Sequence, residues 1–143
     1  MHDEIQTGIK VALTANTALT TALGNATQIV YGWPSVREAT TDTLKVLLAW
    51  GADLIGGGQG ETGNAASVTQ PSFDVPFHLF SQDPNYLNAA ADALYDLWNE
   101  ATMSTTHYEV LRVYCTSDIS MFESDRGWHH RVVTFRFDYI FEN

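Results

Sequence analysis

The stretch Asp83-Pro-Asn-Tyr-Leu-Asn-Ala-Ala-Ala-Asp-Ala-Leu-Tyr-Asp-Leu-Trp98 is the best-marked element of this 143-residue chain. Asp83 reads as a helix N-cap whose carboxylate accepts from a backbone N–H that the helix itself leaves unpaired. Pro84, at the first helical position, lacks a donor where none would be used. Leu87, Ala90, Ala91, Leu94, Tyr95 and Trp98 then recur at three- and four-residue spacing, with Asn88, Asp92, Asp96 and Glu100 on another face. This pattern predicts a helix running to about Ala101, its alanines allowing close contact with a sheet.

The sheet is legible on both sides of that helix. Upstream, Phe73, Val75, Phe77 and Leu79 alternate with Asp74, Pro76, His78 and Phe80, which predicts a strand. Pro76 cannot donate to a ladder and so predicts an edge strand or a bulge. Downstream, Tyr108 to Thr116 alternates with Tyr108, Val110, Arg112 and Tyr114 on one side and Glu109, Leu111, Val113 and Cys115 on the other. Arg131 to Phe141 places Val133, Phe135, Phe137 and Tyr139 together on one face. These two runs suit an antiparallel pair, and Asp118 to His129 between them reads as a polar connection.

The N-terminal half supplies the remainder. Ile5, Ile9, Ala12, Leu13 and Leu19 predict helix over Asp3 to Leu23, with Asn16 or Thr17 as the point where one helix breaks into two and Gly24-Asn25 as its end. Gln28 to Trp33 is a short apolar piece stopped at Pro34, and Thr40 to Trp50 reads as a strand apolar on both sides. Gly51 to Gln70 holds six glycines and predicts a flexible loop or hairpin tip. The fold class expected is therefore α+β: one small antiparallel or mixed sheet of about four strands packed against two main helices, in a single domain over residues 1–143.

Composition limits the function. Seventeen acidic residues against seven basic ones give a formal charge of −10, which disfavours a surface that grips phosphate backbones. No apolar run approaches the roughly 20 residues that cross a bilayer, and Met1 to Glu4 do not begin a secretory signal. The expectation is a soluble protein made in the cytoplasm without translocation. The lone Cys115 has no internal partner and reads as a small buried hydrophobe.

Candidate chemistry is sparse. The glycine-rich stretch has no GxxxxGK[ST] pattern and no lysine, and Glu61 would repel phosphate, so a nucleotide loop is set aside. His2, His78, His107, His129 and His130 include neither HExxH nor a partner CxxC, and adjacent His129 and His130 point to opposite faces of a strand. Asp118, Glu123, Asp125 and His129 are the first suspects for a small hydrolase, a reading that requires a pocket and perturbed acidities. No catalytic, cofactor or metal residues are assigned, and the chain is read as a non-enzyme. Arg126 and Arg131, close to Glu123 and Asp125, are better suited to salt bridges across a subunit boundary.

The order of signals resembles the tail-completion or tail-terminator proteins of long-tailed bacteriophages and related viruses. Phe73-Asp-Val-Pro-Phe-His-Leu-Phe80 matches the strand before the helix, Tyr86 to Trp98 the helix, and Ser124 to Phe137 the charged turn and last strand. The glycine-rich stretch and the Thr/Ala/Asn-rich start depart from the family pattern. The resemblance implies a structural virion protein at the tail–neck junction. It would form a homo-oligomeric, six-membered ring that terminates the tail tube and joins it to the head-side connector or head-closure protein. DNA would pass through the lumen without sequence-specific binding. Six copies at −10 each carry about −60, and an acidic wall lets DNA slide. Another neck component, such as a head-closure or adaptor ring, and a tail-tube subunit remain alternatives. The expected assembly contacts are Trp33, Gly57 and Glu61 of the loop region, Pro76, and Glu123, Asp125, Arg126 and Arg131 of the turn.

Overall fold

The computed structural model describes residues 2–31, 47–50, 55–57, 71–124 and 127–141. Helix α1 (His2–Ala15) and helix α2 (Thr17–Leu23) are separated at Asn16, whose side chain accepts from the Leu19 N–H at 2.8 Å. The break expected there follows from this cap: the short amide side chain satisfies a donor that a continuous helix would have paired internally. Gly24, at φ +101°, ends α2 in a conformation that a Cβ would strain. One 3-10 turn (Ala26–Gln28) leads into strand β1 (Ile29–Tyr31).

Strands β2 (Leu47–Trp50), β3 (Ile55–Gly57) and β4 (Ser72–Ser81) precede helix α3 (Pro84–Trp98). Strands β5 (Met103–Ser104), β6 (Tyr108–Glu123) and β7 (Trp128–Phe141) follow it. The sheet order is β1-β2-β4-β7-β6-β5, with β3 also pairing β4. All described pairings are antiparallel except β1 with β2. The fold is thus α+β as expected. Among the described residues its sheet has seven strand segments: β2 and β3 share one lane, which with β4, β7 and β6 makes up the expected sheet of about four antiparallel lanes, and the short β1 and β5 lie outside them.

Asp83 caps α3 as its sequence predicts, accepting from the Asn85 N–H at 2.9 Å. The helix stops at Trp98, three residues before the expected end. Glu100 takes φ +60°, and its N–H donates to the Val113 carbonyl, which ties the chain to β6. Leu87, Ala90, Ala91, Ala93, Leu94 and Trp98 are buried against the sheet.

The core lies between this helical layer and one face of β4, β7 and β6. Phe73, Val75, Phe77 and Leu79 of β4 and Val133, Phe135 and Phe137 of β7 are fully buried there, joined by Ile5, Ile9, Leu13, Leu19 and Leu23 of the N-terminal helices. The Phe73 and Phe137 rings stack at 5.2 Å, and Trp98 meets Phe137 edge-on at 5.2 Å.

Three expectations are corrected. First, Pro76 lies in an interior strand. The Tyr139 N–H donates to the Pro71 carbonyl, so 71/139 is a hydrogen-bonded pair, and by alternation Pro76 and Thr134 form a non-hydrogen-bonded one. The proline nitrogen therefore points away from β7. On that other side Trp50 pairs Phe77 and Ile55 pairs Asp74, so the register shifts where the donor is missing. The proline thus sits beside an irregularity of the neighbouring lane, not at a sheet edge.

Second, Ile55–Gly57 forms a strand inside the stretch read as a loop, with the rest of that stretch outside the described residues. Third, the polar connection from Asp118 is mostly strand: β6 continues to Glu123 and β7 begins at Trp128. Register shifts at Leu111 and Thr116 move the inner face from Val110 to Val113 and Cys115, so the unbroken alternation read over Tyr108 to Thr116 does not hold.

Truncating Leu94, fully buried on α3, to alanine should cost about 2–5 kcal/mol, whereas Asp83→Ala, which removes only the cap, should cost about 1 kcal/mol. Urea unfolding monitored by tryptophan fluorescence measures both. Equal costs for the two variants would contradict this packing.

Candidate assembly surface

Side chains of the sheet sort onto two faces, and the outer one is unlike the core. Near one end Asp74 and Arg136, opposite each other on β4 and β7, form a bidentate pair at 2.8 and 3.1 Å. The Asp74 carboxylate holds the Arg136 guanidinium above its usual range. Arg112 on β6 stacks over Tyr114 at 4.8 Å and reaches Glu100 at 2.9 Å. Both arginine pairs are partly or fully exposed, and such pairs fix geometry more than they add stability.

Near the β6–β7 turn the outer face becomes aromatic and imidazole-rich. Trp128 is buried against Val30 and Phe80, and the His130 ring, 6% exposed, stacks on Phe80 at 4.2 Å. The His130 Nε2 lies 2.9 Å from the His78 Nδ1, and its Nδ1 lies 3.3 Å from the Glu123 carboxylate without the alignment of a hydrogen bond. Burial lowers the His78 basicity to about 4, helped by the neighbouring His130. Burial also lowers that of His130, with Glu123 opposing. Both rings are neutral at pH 7, which permits two imidazoles to share one hydrogen bond.

On the helix side of the same strands, Asp118 accepts from Arg131 Nε–H and Nη–H at 2.9 and 2.7 Å and from the Tyr95 hydroxyl at 2.7 Å. Arg131 also donates to the Asn88 side chain at 3.2 Å. The guanidinium holds the Asp118 carboxyl below its ordinary range, and burial pushes the Tyr95 hydroxyl up. This cluster bolts α3 to the β6–β7 pair.

The expected contact residues are therefore dispersed. Trp33, Glu61, Asp125 and Arg126 lie outside the described residues. Gly57 ends β3 opposite Ser72, and Pro76 sits in the sheet interior. Glu123 and Arg131 fall on opposite faces, each with a partner inside the chain: His130 for one, Asp118 for the other. The suspected acid–base cluster does not form either, since Asp118 is held by Arg131 and His129 turns to Phe122 with ring centres 4.9 Å apart. Among the described residues no group of three or more His, Cys, Asp or Glu is placed to hold a metal, and no helix is long and apolar enough to cross a membrane.

What the sequence reading missed is Ile119, Met121 and Phe122. They are 54%, 43% and 56% exposed, and the alternation of Ile119 and Met121 within Asp118-Ile-Ser-Met-Phe122 was the signal. Ile119 and Met121, opposite Val132 and His130, lie on the outer face; Phe122, opposite His129, lies on the helix side. Strand β5 covers β6 only at Glu109 and Val110. From Ser117 onward β6 is thus the outer lane of the described sheet, with exposed apolar side chains on both faces.

No protein-family model and no curated protein matches this sequence. Among solved structures, a chain from the virion of a native gene transfer agent particle superposes with a TM-score of 0.71 at 14% identity. The match covers 96% of this chain and 95% of that one. The two share a fold over nearly their whole lengths, a distant structural relationship to a virion protein.

The buried imidazoles set a pH dependence. Their folded-state basicity lies below the unfolded value near 6.5, so the unfolded chain takes up protons first and stability falls as pH drops from about 6.5 towards 4. Urea midpoints should decline between pH 6.5 and 5, before most carboxylates titrate, and the His78 ring should titrate near 4 by NMR. A flat profile over that window, with a His78 midpoint above 6, would contradict the geometry.

Proposed function

We propose that this chain is a structural, non-enzymatic virion protein whose copies close into a ring, most simply of six. The ring terminates a tail tube and joins it to the head-side connector, and DNA transits its lumen without sequence-specific binding. The observation that carries this reading is the whole-length likeness to a chain of a gene transfer agent virion. Two features of the molecule agree with it. The charge of −10 makes a lumen lined by several copies anionic, so a passing phosphate backbone is repelled instead of held. Asp74, Asp118, His78 and His130 have hydrogen-bonded partners inside the chain, leaving shape and exposed apolar side chains as the means of recognition.

The mass of the purified protein, measured by native mass spectrometry alone and after incubation with tail tubes, tests the reading. A closed oligomer, alone or formed on addition of tubes, and one ring per tube end are expected. A chain that stays monomeric in both settings would overturn the proposal. Many copies along each tube would instead make it a tube subunit.

A further inference from the structure

We propose that the outer edge of β6 from Ser117 to Glu123 is the strand on which a second copy of this chain docks, through the β1 side of its own sheet; this rests on the ring reading above. Seven residues of extended backbone present about 23 Å of N–H and C=O groups with no strand beside them among the described residues. Up to Val113 the same edge is already occupied, by β5 and by the Glu100 N–H on the Val113 carbonyl. The open part begins just beyond the Thr116 bulge and is the part that carries Ile119, Met121 and Phe122 outward.

Charge selects the occupant. The segment has two carboxylates, and each already faces a partner of its own chain, Asp118 with Arg131 and Glu123 with His130. A basic peptide therefore finds a single carboxylate here without a cationic partner, Glu123, and nucleic acid finds no cationic surface to displace its counterions. A mostly apolar edge with one such charge is where two molecules of −10 can approach with little repulsion. The chain brings a matching edge of its own: among the described residues Ile29-Val-Tyr31, uncharged, is the terminal lane at the other end of the same sheet. Joining unlike edges is a head-to-tail contact, the kind that closes into rings. Pairing β6 with another β6 would stop at a twofold dimer.

The test is the double variant Ile119→Lys with Phe122→Lys, compared with Val11→Lys on the exposed face of α1. Both sites of the double variant are more than half exposed, so the fold should survive, as circular dichroism and an unchanged urea midpoint would verify. Added lysines also reduce repulsion between anionic copies, so any loss of assembly comes from blocking the edge. Wild type and Val11→Lys should form closed rings, while the folded double variant should require at least a tenfold higher concentration. Rings of unchanged mass at unchanged concentration from the double variant would overturn this docking strand and leave the ring reading intact. A wild type that stops at a dimer would overturn the head-to-tail geometry. A wild type that stays monomeric with and without tail tubes would overturn both proposals.

Discussion

The pairing of β4 with β7 is the constraint on which the rest of the structure depends. Ten consecutive residue pairs, from Ser72–Asp138 to Ser81–His129, fix one register. Because side chains alternate, that register alone sends Phe73, Val75, Phe77 and Leu79 to the same face as Val133, Phe135 and Phe137. A slip of one residue would present Asp74, His78, Arg136 and Asp138 to the helices. The apolar layer of α3, together with α1 and α2, then has one face to cover. The opposite face carries the Asp74–Arg136 pair and the Trp128–Phe80–His130 cluster.

The proposed function rests on what that arrangement leaves uncovered. The helices occupy the inner face, and β2 and β3 occupy the far side of β4. The β6–β7 pair extends beyond the reach of β5, so its outer strand ends with apolar groups in solvent. The Tyr95–Asp118–Arg131 cluster holds this extension to α3, which fixes its position. Edge strands of this kind are usually blunted by charge. Here the charges of the edge are turned to partners within the chain, consistent with an edge that is covered on assembly.

Much of the fold was legible because several elements carry strong local marks. Asp83-Pro84 could only begin a helix, Asn16 could break one, and the long alternations of β4 and β7 had a single consistent face. The failures share a physical cause, which is irregularity between lanes. The bulges at Leu111 and Thr116 shift the alternation of β6, so a period-two reading across them assigns the wrong faces. A proline in an interior strand was read as marking an edge or a bulge because the register shift that accommodates it belongs to the neighbouring lane. The proposed contact surface was hidden for a further reason. Asp118, Ser120 and Glu123 made the segment look like a solvated turn, and only the three-dimensional pairing shows Asp118 and Glu123 with partners inside the chain and Ile119, Met121 and Phe122 exposed.

Residue-resolved hydrogen exchange, on the isolated chain and on the assembled ring, tests most directly whether a rigid central pair carries an edge reserved for a neighbour. The account predicts that amides of β4 and β7 exchange only with global unfolding in both states. Outward amides between Ser117 and Glu123 should exchange orders of magnitude faster in the isolated chain and become protected on assembly. Protection of those amides before assembly, or its absence afterwards, would contradict it.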